Sequence, residues 1–492
     1  MTTMLAAGLQ KRLRLDPDAV LTDDPSEFRL TLGAVTLGAG RLPDWMIALF
    51  RRLESEDVPE EELQARALAG GGPAGLFRWV ESVRRLDAGG MLARRVTLDQ
   101  QHVSTLRAGG TGPSERPVSF DPSSCQRLSR LAVIRAEDGA LLVQHPASHL
   151  VVELGPVAVE VAARLADWTS WQEISQDGAG PAGEVTRAVL EHFARAAVID
   201  QVDHPADGSV ESAAAQQWNP FDWWLHSRTR NPRIVTGWGG SYPGRGRFDR
   251  LPALPARFPG REIVLPVPDL PARTAAGESL ASVMERRRSI REHDDDQPIT
   301  LEQLSELLYR VARTRAVLST AGGGHADTDE IVDRPYPAGG ALHELEIYPV
   351  VRACDGIDAG MWHYRSAEHR LEWVSGASDA VDQLLWAAQS ASTMSAQPQV
   401  LLVISARFGR LMFKYETIAY ALTLKHVGVL MQSLYLVATE MGLAPTALGS
   451  GDASAFAGAT GLDRMAESSV GEFVVGSRPA VLTPGPLNDW KD

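Results

Sequence analysis

The sequence predicts an α+β protein. Its C-terminal half has a central sheet flanked by helices, one of them long and buried, and two small helix-plus-hairpin units of winged-helix type precede it. Three observations carry this reading. Residues 400–404 (VLLVI) form a continuous apolar run, as expected of a strand covered on both faces. Residues 416–441 read as one helix, apolar nearly all round, of about 39 Å at 1.5 Å per residue, with Gly442 as its C-terminal stop. Gly/Pro-rich stretches at 70–75, 107–117, 177–184 and 219–261 read as joints between folded segments.

In the N-terminal region, residues 45–56 and 75–88 have helical periodicity, and RLDAGGMLARRVTL, residues 85–98, looks like a turn leading into a strand. Residues 131–134 and 141–144 are short apolar runs on either side of AEDG, which suggests a hairpin. Residues 157–165 and 185–197 follow as amphipathic helices, and AVIDQV closes the segment as a strand. The expected division is a first winged-helix-like unit over 1–110, a second of peptide-recognition type over 125–205, a linker over 206–261 and a catalytic domain over 262–492. A winged helix often reads DNA, but residues 1–220 carry 21 basic and 30 acidic side chains, a net of −9, which disfavours phosphate binding.

The whole chain carries −14, which argues against nucleic acid as partner. The N-terminus has too short an apolar stretch for a signal peptide. No uninterrupted apolar run reaches spanning length, since the best candidate, 427–438, contains Gln432 and Ser433. Cys125 and Cys354 lie far apart without a second thiol near either, so neither a zinc site nor a disulfide framework is expected. The expectation is a cytoplasmic protein without a membrane partner. Of its 48 basic residues only Lys11, Lys414, Lys425 and Lys491 are lysines. Lysine can be neutralised near neutral pH and arginine cannot, so a mid-chain lysine in so arginine-rich a sequence is a proton-transfer candidate.

In the C-terminal half, residues 280–288 are helical and end in arginines. Thr300 to Gln303 is a capping box opening the next helix. Residues 345–351 are strand-like, 360–364 and 369–374 pair as a hairpin, and 472–475 form a last core strand. Four motifs lie among these elements. Arg286-Arg287-Arg288-Ser289-Ile290-Arg291 can surround a phosphate, although cations at a helix C-terminus also complement its dipole. Tyr336-Pro337-Ala338-Gly339-Gly340 lets backbone N–H groups approach a flat ligand. Leu448-Gly449-Ser450-Gly451-Asp452 is a glycine-rich turn that fits neither the Walker loop nor the dinucleotide fingerprint. Lys414-Tyr415, at the entry to the long helix, is a general-base pair if burial lowers the lysine pKa. Lys425, eleven residues on, returns to nearly the same helical face. His343, Glu344 and Glu346 are close in sequence but split by strand alternation, and no metal site is expected.

Taken in order, these motifs resemble the azoline-oxidising, SagB-type branch of the nitroreductase superfamily over about residues 275–480. The resemblance rests on RRRSIR, YP-small-Gly-Gly followed by LEIY, Lys-Tyr-Glu-x-Ile-Ala-Tyr, Leu-Gly-x-Gly-Asp and a terminal Gly-x-Arg-Pro. It implies FMN as cofactor and a homodimer with sites at the subunit interface. Arg287, Arg288, Ser289 and Arg291 match the motif that holds phosphate and ribityl chain. Pro337, Ala338, Gly339 and Gly340 match the segment that approaches the flavin across the interface, with Ala338 replacing the more usual serine. Gly449 and Gly451 match the loop against the flavin ring, and Arg478 the late basic residue near the phosphate. Lys414 and Tyr415 match the proton-transfer pair, with either as base. The implied activity is oxidation of thiazolines or oxazolines to thiazoles or oxazoles in a ribosomally made peptide. Its implied partners are an azoline-containing precursor peptide and a cyclodehydratase. Two rival readings are an NAD(P)H-dependent nitro- or quinone reductase and a peptide-binding scaffold with a relic flavin fold.

Overall fold

The computed structural model describes residues 8–17, 19–24, 27–32, 35–109, 119–176, 183–203, 212–230, 239–321 and 328–483. The expected joints at 110–117 and 177–182, together with Lys491, lie outside these. The chain divides into two compact units between Ser241 and Tyr242. The break falls twenty residues before the expected boundary at 262, so residues 242–261 belong to the second unit and are not a linker.

In the first unit a seven-stranded antiparallel sheet runs, edge to edge, Val58–Pro59, Leu9–Leu15, Leu92–Leu98, Gln101–Ala108, Leu150–Leu154, Ala140–Gln144 and Val133–Glu137. The expected hairpin forms its far edge, turning at Asp138 and Gly139, both at positive φ as a tight two-residue turn requires. Strand 101–108 pairs with 150–154, Ala108 opposite Leu150, so the segments assigned to two winged-helix units share a single sheet. That correction has a simple cause: pairing between distant strands leaves no local pattern in either one. The 70–75 stretch is also no joint. It lies within the helix Glu60–Ala88, which kinks where Gly72 takes φ +61° ahead of Pro73. A Cβ on Gly70 would come within 2.7 Å of the Trp45 ring, so glycine here lets this helix close against Asp44–Ser55.

The second unit is built on another seven-stranded antiparallel sheet, ordered Glu262–Val264, Arg370–Ser375, Gly360–Arg365, Leu345–Val351, Val400–Arg407, Glu467–Ser477 and Leu443–Leu448. Every residue of Val400–Arg407 is buried. Alternation sends Val400, Leu402, Ile404 and Ala406 into one core and Leu401 and Val403 into the other. Helices Leu301–Ala312 and Ala419–Glu440 cover the first face, and Asp379–Ser392 and Ala453–Thr460 the second. The capping box at Thr300 and Gln303 forms in both directions.

The long helix starts at Ala419, three residues later than expected, after a short turn of helix at Gly409–Met412. Met441 caps it, and Gly442 follows at φ +73°. It buries one stripe, including His426, Leu430 and Leu434, and exposes Tyr420, Leu424 and Val429. Among the described residues this is also the one helix long and apolar enough to cross a membrane, which the interrupted run at 427–438 does not suggest. Elements without a counterpart in the sequence reading include the hairpin Ala316–Ala321 with Thr328–Asp333 and the helix Asp379–Ser392.

Candidate active site

Beyond strand 400–407 the chain turns through 409–412 and delivers Lys414 and Tyr415, whose amides both donate to the Leu411 carbonyl. The segment after residue 241 runs alongside: Tyr242 N–H donates to the Lys414 carbonyl (3.0 Å) and Gly244 N–H to that of Phe413 (3.3 Å). Opposite stands Asp329, from the unforeseen hairpin. Its Oδ2 accepts from Lys414 Nζ at 3.2 Å and from the Tyr242 hydroxyl at 3.0 Å, and Arg250 bonds its other oxygen. Lys414 Nζ also lies 5.7 Å from the Tyr242 ring centre and 5.8 Å from that of Tyr415.

This clamp decides the charge of Lys414. Burial pulls the ammonium pKa down, but the Asp329 hydrogen bond and the neighbouring Tyr415 and Tyr242 outweigh it, and the net shift is upward. Asp329 shifts the other way. Burial raises its carboxyl, yet the bonds from Lys414 and Tyr242 hold it below the usual carboxylate range. The clamp therefore favours the charged form of Lys414, against the expectation of a lysine neutralised by burial. Its pairing with Lys425 fails as well. Lys414 precedes the helix and shares no helical face with Lys425, which is exposed.

The Gly339-Gly340 turn meets this group. Gly340 has φ +62°, and a Cβ there would lie 2.8 Å from the Tyr415 hydroxyl and 3.4 Å from Lys414 Nζ. The glycine thus leaves open a point within reach of both polar tips. Gly339 N–H donates to His426 Nε2 at 2.7 Å, which makes Nε2 the acceptor and Nδ1 the donor to Glu344 Oε1 at 2.8 Å. Glu344 is fully buried, with its second oxygen unbonded. His343, at φ +45°, packs edge-on against Tyr336, and burial, aided by nearby Arg334, pushes its pKa down to about 3. Pro337 is exposed and Ala338 half-buried in extended backbone. Glu346 belongs elsewhere, to a buried cluster with Arg334 and His363.

A second group forms around Ser289. Helix Leu280–Arg286 is capped by Ser279 and releases the chain at Arg287, Arg288 and Ser289, all half-buried. Ser289 Oγ lies 2.7 Å from the Tyr435 hydroxyl, which also accepts from Ala447 N–H at 2.7 Å. Either hydroxyl can be the donor between them, so the pair can present a proton or a lone pair to a ligand. The Arg287 guanidinium lies 5.2 Å from the Tyr435 ring centre. Ile290 N–H donates to the Pro445 carbonyl, which ties this segment to strand 443–448 and so to the Gly449–Gly451 loop just beyond it. A Cβ on Gly451 would overlap the Glu472 carboxyl, whereas one on Gly449 would meet nothing within 4 Å. Burial foremost raises the pKa of Glu472. Arg291 is half-buried. Arg478 is exposed and follows Ser477, whose hydroxyl donates to the Asp294 carbonyl three residues beyond Arg291.

The structure thus gathers the site residues into two groups. Both lean on helix 419–440, through His426 and Tyr435, nine residues apart, about 13 Å along the axis and half a turn around it. Asp329, Tyr242, Arg250, His426 and Tyr435 were not identified from sequence, and Glu344 was weighed there only for a metal. The five are separated in sequence from the motifs they serve, and the need of Lys414 for a proton partner is the signal that could have prompted a search.

Residues 284–477 match the sequence model of the nitroreductase family, and residues 126–234 that of the cyanobactin oxidase ThcOx. A protein of Methanocaldococcus jannaschii described as a nitroreductase is 29% identical over 171 residues, 35% of this chain and 78% of its own length. The trifolitoxin-processing protein of Rhizobium leguminosarum bv. trifolii is 31% identical over 181 residues, 36% of this chain and 47% of that protein. The microcin B17-processing protein of Escherichia coli is 30% identical over 119 residues, 23% of this chain and 42% of that protein. The chain therefore spans less than half the length of the two processing proteins it matches. A solved nitroreductase structure from Ralstonia eutropha aligns with TM-score 0.36 at 24% identity, over 48% of this chain and 97% of that one. One chain of an E. coli microcin synthetase complex aligns with TM-score 0.34 at 18% identity, over 55% of this chain and all of that one.

A seven-stranded antiparallel sheet between helix layers, with residues 284–477 matching the family model, gives the second unit a nitroreductase-like fold. Its motifs resemble those of the SagB-type dehydrogenases, and the chain is similar in part to two peptide-processing proteins and to the ThcOx model.

Proposed function

We propose that the protein is an FMN-dependent dehydrogenase that oxidises thiazolines or oxazolines to thiazoles or oxazoles in a ribosomally made peptide. The observation that carries this reading is the Lys414–Tyr415 pair, fixed by Asp329 and converging on the Gly340 turn. Its nearest support in kind is the alignment with proteins that process trifolitoxin and microcin B17. A nitro- or quinone reductase has no use for a clamped lysine–tyrosine pair.

FMN fits the residues present. The Ser289 hydroxyl, paired with that of Tyr435, stands beside Arg287, and the loop at Gly451 and the turn at Gly340 are places where any larger residue would collide. Arg287, Arg288, Ser289, Arg291 and Arg478 would hold the phosphate and ribityl chain, and Gly449, Gly451 and the 337–340 segment would face the ring. When bound, FMN supplies the two-electron acceptor for the hydride leaving the azoline ring.

The protein's own residues manage the proton. The ring carbon next to the peptide carbonyl bears a weakly acidic hydrogen, and the charge left by its removal spreads onto the carbonyl oxygen. Lys414, held cationic by Asp329, is placed to stabilise that developing charge. To take that proton Tyr415 must first give up its own; its hydroxyl lies at the point Gly340 leaves open. Because the phosphate-type group and the proton-transfer group face different sides of one helix, a homodimer would complete each site from two copies. A cyclodehydratase is the partner class, since azolines form by cyclodehydration.

The test is an absorbance spectrum of the purified protein, identification of the released chromophore, and incubation with azoline peptides. Flavin bands, released FMN and a loss of two hydrogens per ring are expected. A protein that stays colourless after FMN is added, or one that consumes NAD(P)H with quinones but ignores azoline peptides, would overturn the reading.

A further inference from the structure

The clamp around Lys414 borders a cavity of about 280 Å³, walled by Arg250, Asp329, Glu330, Arg410, Phe413 and Lys414 among others. Arg410 is the unusual member. It is only 7% exposed, yet all four of its hydrogen bonds go to backbone carbonyls. Nε and Nη2 donate to Leu342, Nη1 to Leu251 and Nη2 to Glu330. Among the described residues no carboxylate oxygen lies within 4 Å of it, unlike buried Arg334 and Arg365, which pair with Glu346 and Glu372. A guanidinium has five N–H groups, so one on Nη1 remains unspent.

The described carboxylates on the cavity wall are engaged elsewhere. Arg250 and Lys414 both bond Asp329, and the Glu330 carboxylate accepts from the Ala253 amide. A buried charge without a counter-ion is costly, and carbonyl dipoles compensate it only in part. One carboxylate would give Arg410 the counter-ion it lacks among the described residues. The volume, near the lower end of small-molecule sites, suits one or two amino-acid residues.

We propose that this cavity is a carboxylate-binding subsite, centred on Arg410, that anchors an acidic group of the substrate peptide beside Lys414. The proposal rests on the peptide-substrate reading above and adds the chemistry by which the substrate is held. The carboxylate comes from an acidic side chain or from a chain terminus, and the two are separable by experiment.

The full-length protein is titrated at pH 7 by ligand-detected NMR with three probes: N-acetylglycine, the α-amide of N-acetylglutamic acid, and neutral N-acetylglycinamide. At least one acid is expected to bind about tenfold tighter than the neutral amide, the scale of a charge-assisted hydrogen bond. Preference for the first acid assigns a terminal carboxylate, and preference for the second a side chain. In Arg410→Gln the advantage should vanish. Equal binding of all three probes by the native protein would overturn the subsite without need of any variant, as would an acid preference that survives Arg410→Gln. Should Arg410→Gln fail to fold, Phe413→Trp, which fills the cavity, must abolish acid binding for the proposal to stand. Binding requires no turnover, so a protein that binds the acids but never oxidises an azoline sinks the activity and leaves the subsite intact.

Discussion

The two groups that lean on helix 419–440 are built on opposite plans. Around Lys414 the polar atoms are spent on one another: Asp329 takes Lys414, Tyr242 and Arg250, and His426 is fixed between Gly339 and Glu344. Around Ser289 two hydroxyls meet, Ser289 Oγ 2.7 Å from that of Tyr435, with the Arg287 guanidinium over the tyrosine ring. The first arrangement fixes a charge in place, as proton transfer needs. The second gathers hydroxyl and guanidinium groups of the kind that hold an anionic ligand. Under the proposed function the first does the chemistry and the second the holding, and substitutions on the two sides should fail differently.

The largest effect is expected from Lys414→Ala or Tyr415→Phe. Each should cut turnover on azoline peptides by about 10²–10⁴-fold, the usual contribution of acid–base catalysis, while the flavin spectrum persists. Loss of bound flavin in either variant would erase the distinction between the groups. Ser289→Ala should do the reverse, weakening FMN binding by about 10–100-fold, the value of a hydrogen bond to a charged group. Turnover at saturating FMN should be nearly retained, as fluorescence titration and assay would show.

Acid should loosen the second unit. His343 stays neutral in the folded chain down to about pH 3, whereas the unfolded residue takes up a proton below about pH 6.5. Between those values the unfolded state binds more protons, so stability falls as pH falls. From pH 7 to 5 this histidine alone should remove about 2 kcal/mol, a loss that His343→Phe should reduce in denaturant melts. Asp329→Asn removes the main partner that keeps Lys414 charged, so the alkaline limb of the pH–rate profile should move to lower pH. An unmoved limb would detach Asp329 from the clamp. The smallest effect is that of Thr300→Ala, which should cost about 1 kcal/mol of stability through the lost cap and leave both groups unaltered.

Sequence reading reached the Ser289 side far better than the Lys414 side. Arg287, Arg288, Ser289 and Arg291 are consecutive or nearly so, and their chemistry is visible in four letters. Lys414 and Tyr415 were visible too, but the state of Lys414 was not, because it is set by Asp329, 85 residues earlier, and Tyr242, 172 residues earlier. The same division applies to the fold. The 400–407 strand and the capped helix after Thr300 are written in local periodicity and capping chemistry. The single sheet joining residues 9–15 to 133–154 depends on pairing between distant segments, and two hairpin-and-helix units with a loop between them look the same either way.

The strap from Tyr242 to about Phe258 lies outside both matched family segments, which cover 126–234 and 284–477. Yet it supplies the Tyr242 hydroxyl, the Arg250 guanidinium and the Leu251 carbonyl to the same small volume. The inheritable module therefore begins some forty residues before the recognisable one. A chimaera spliced at residue 262 would carry every motif and still lack one wall of this cavity. A crossover placed just before Tyr242 would transplant the cavity whole.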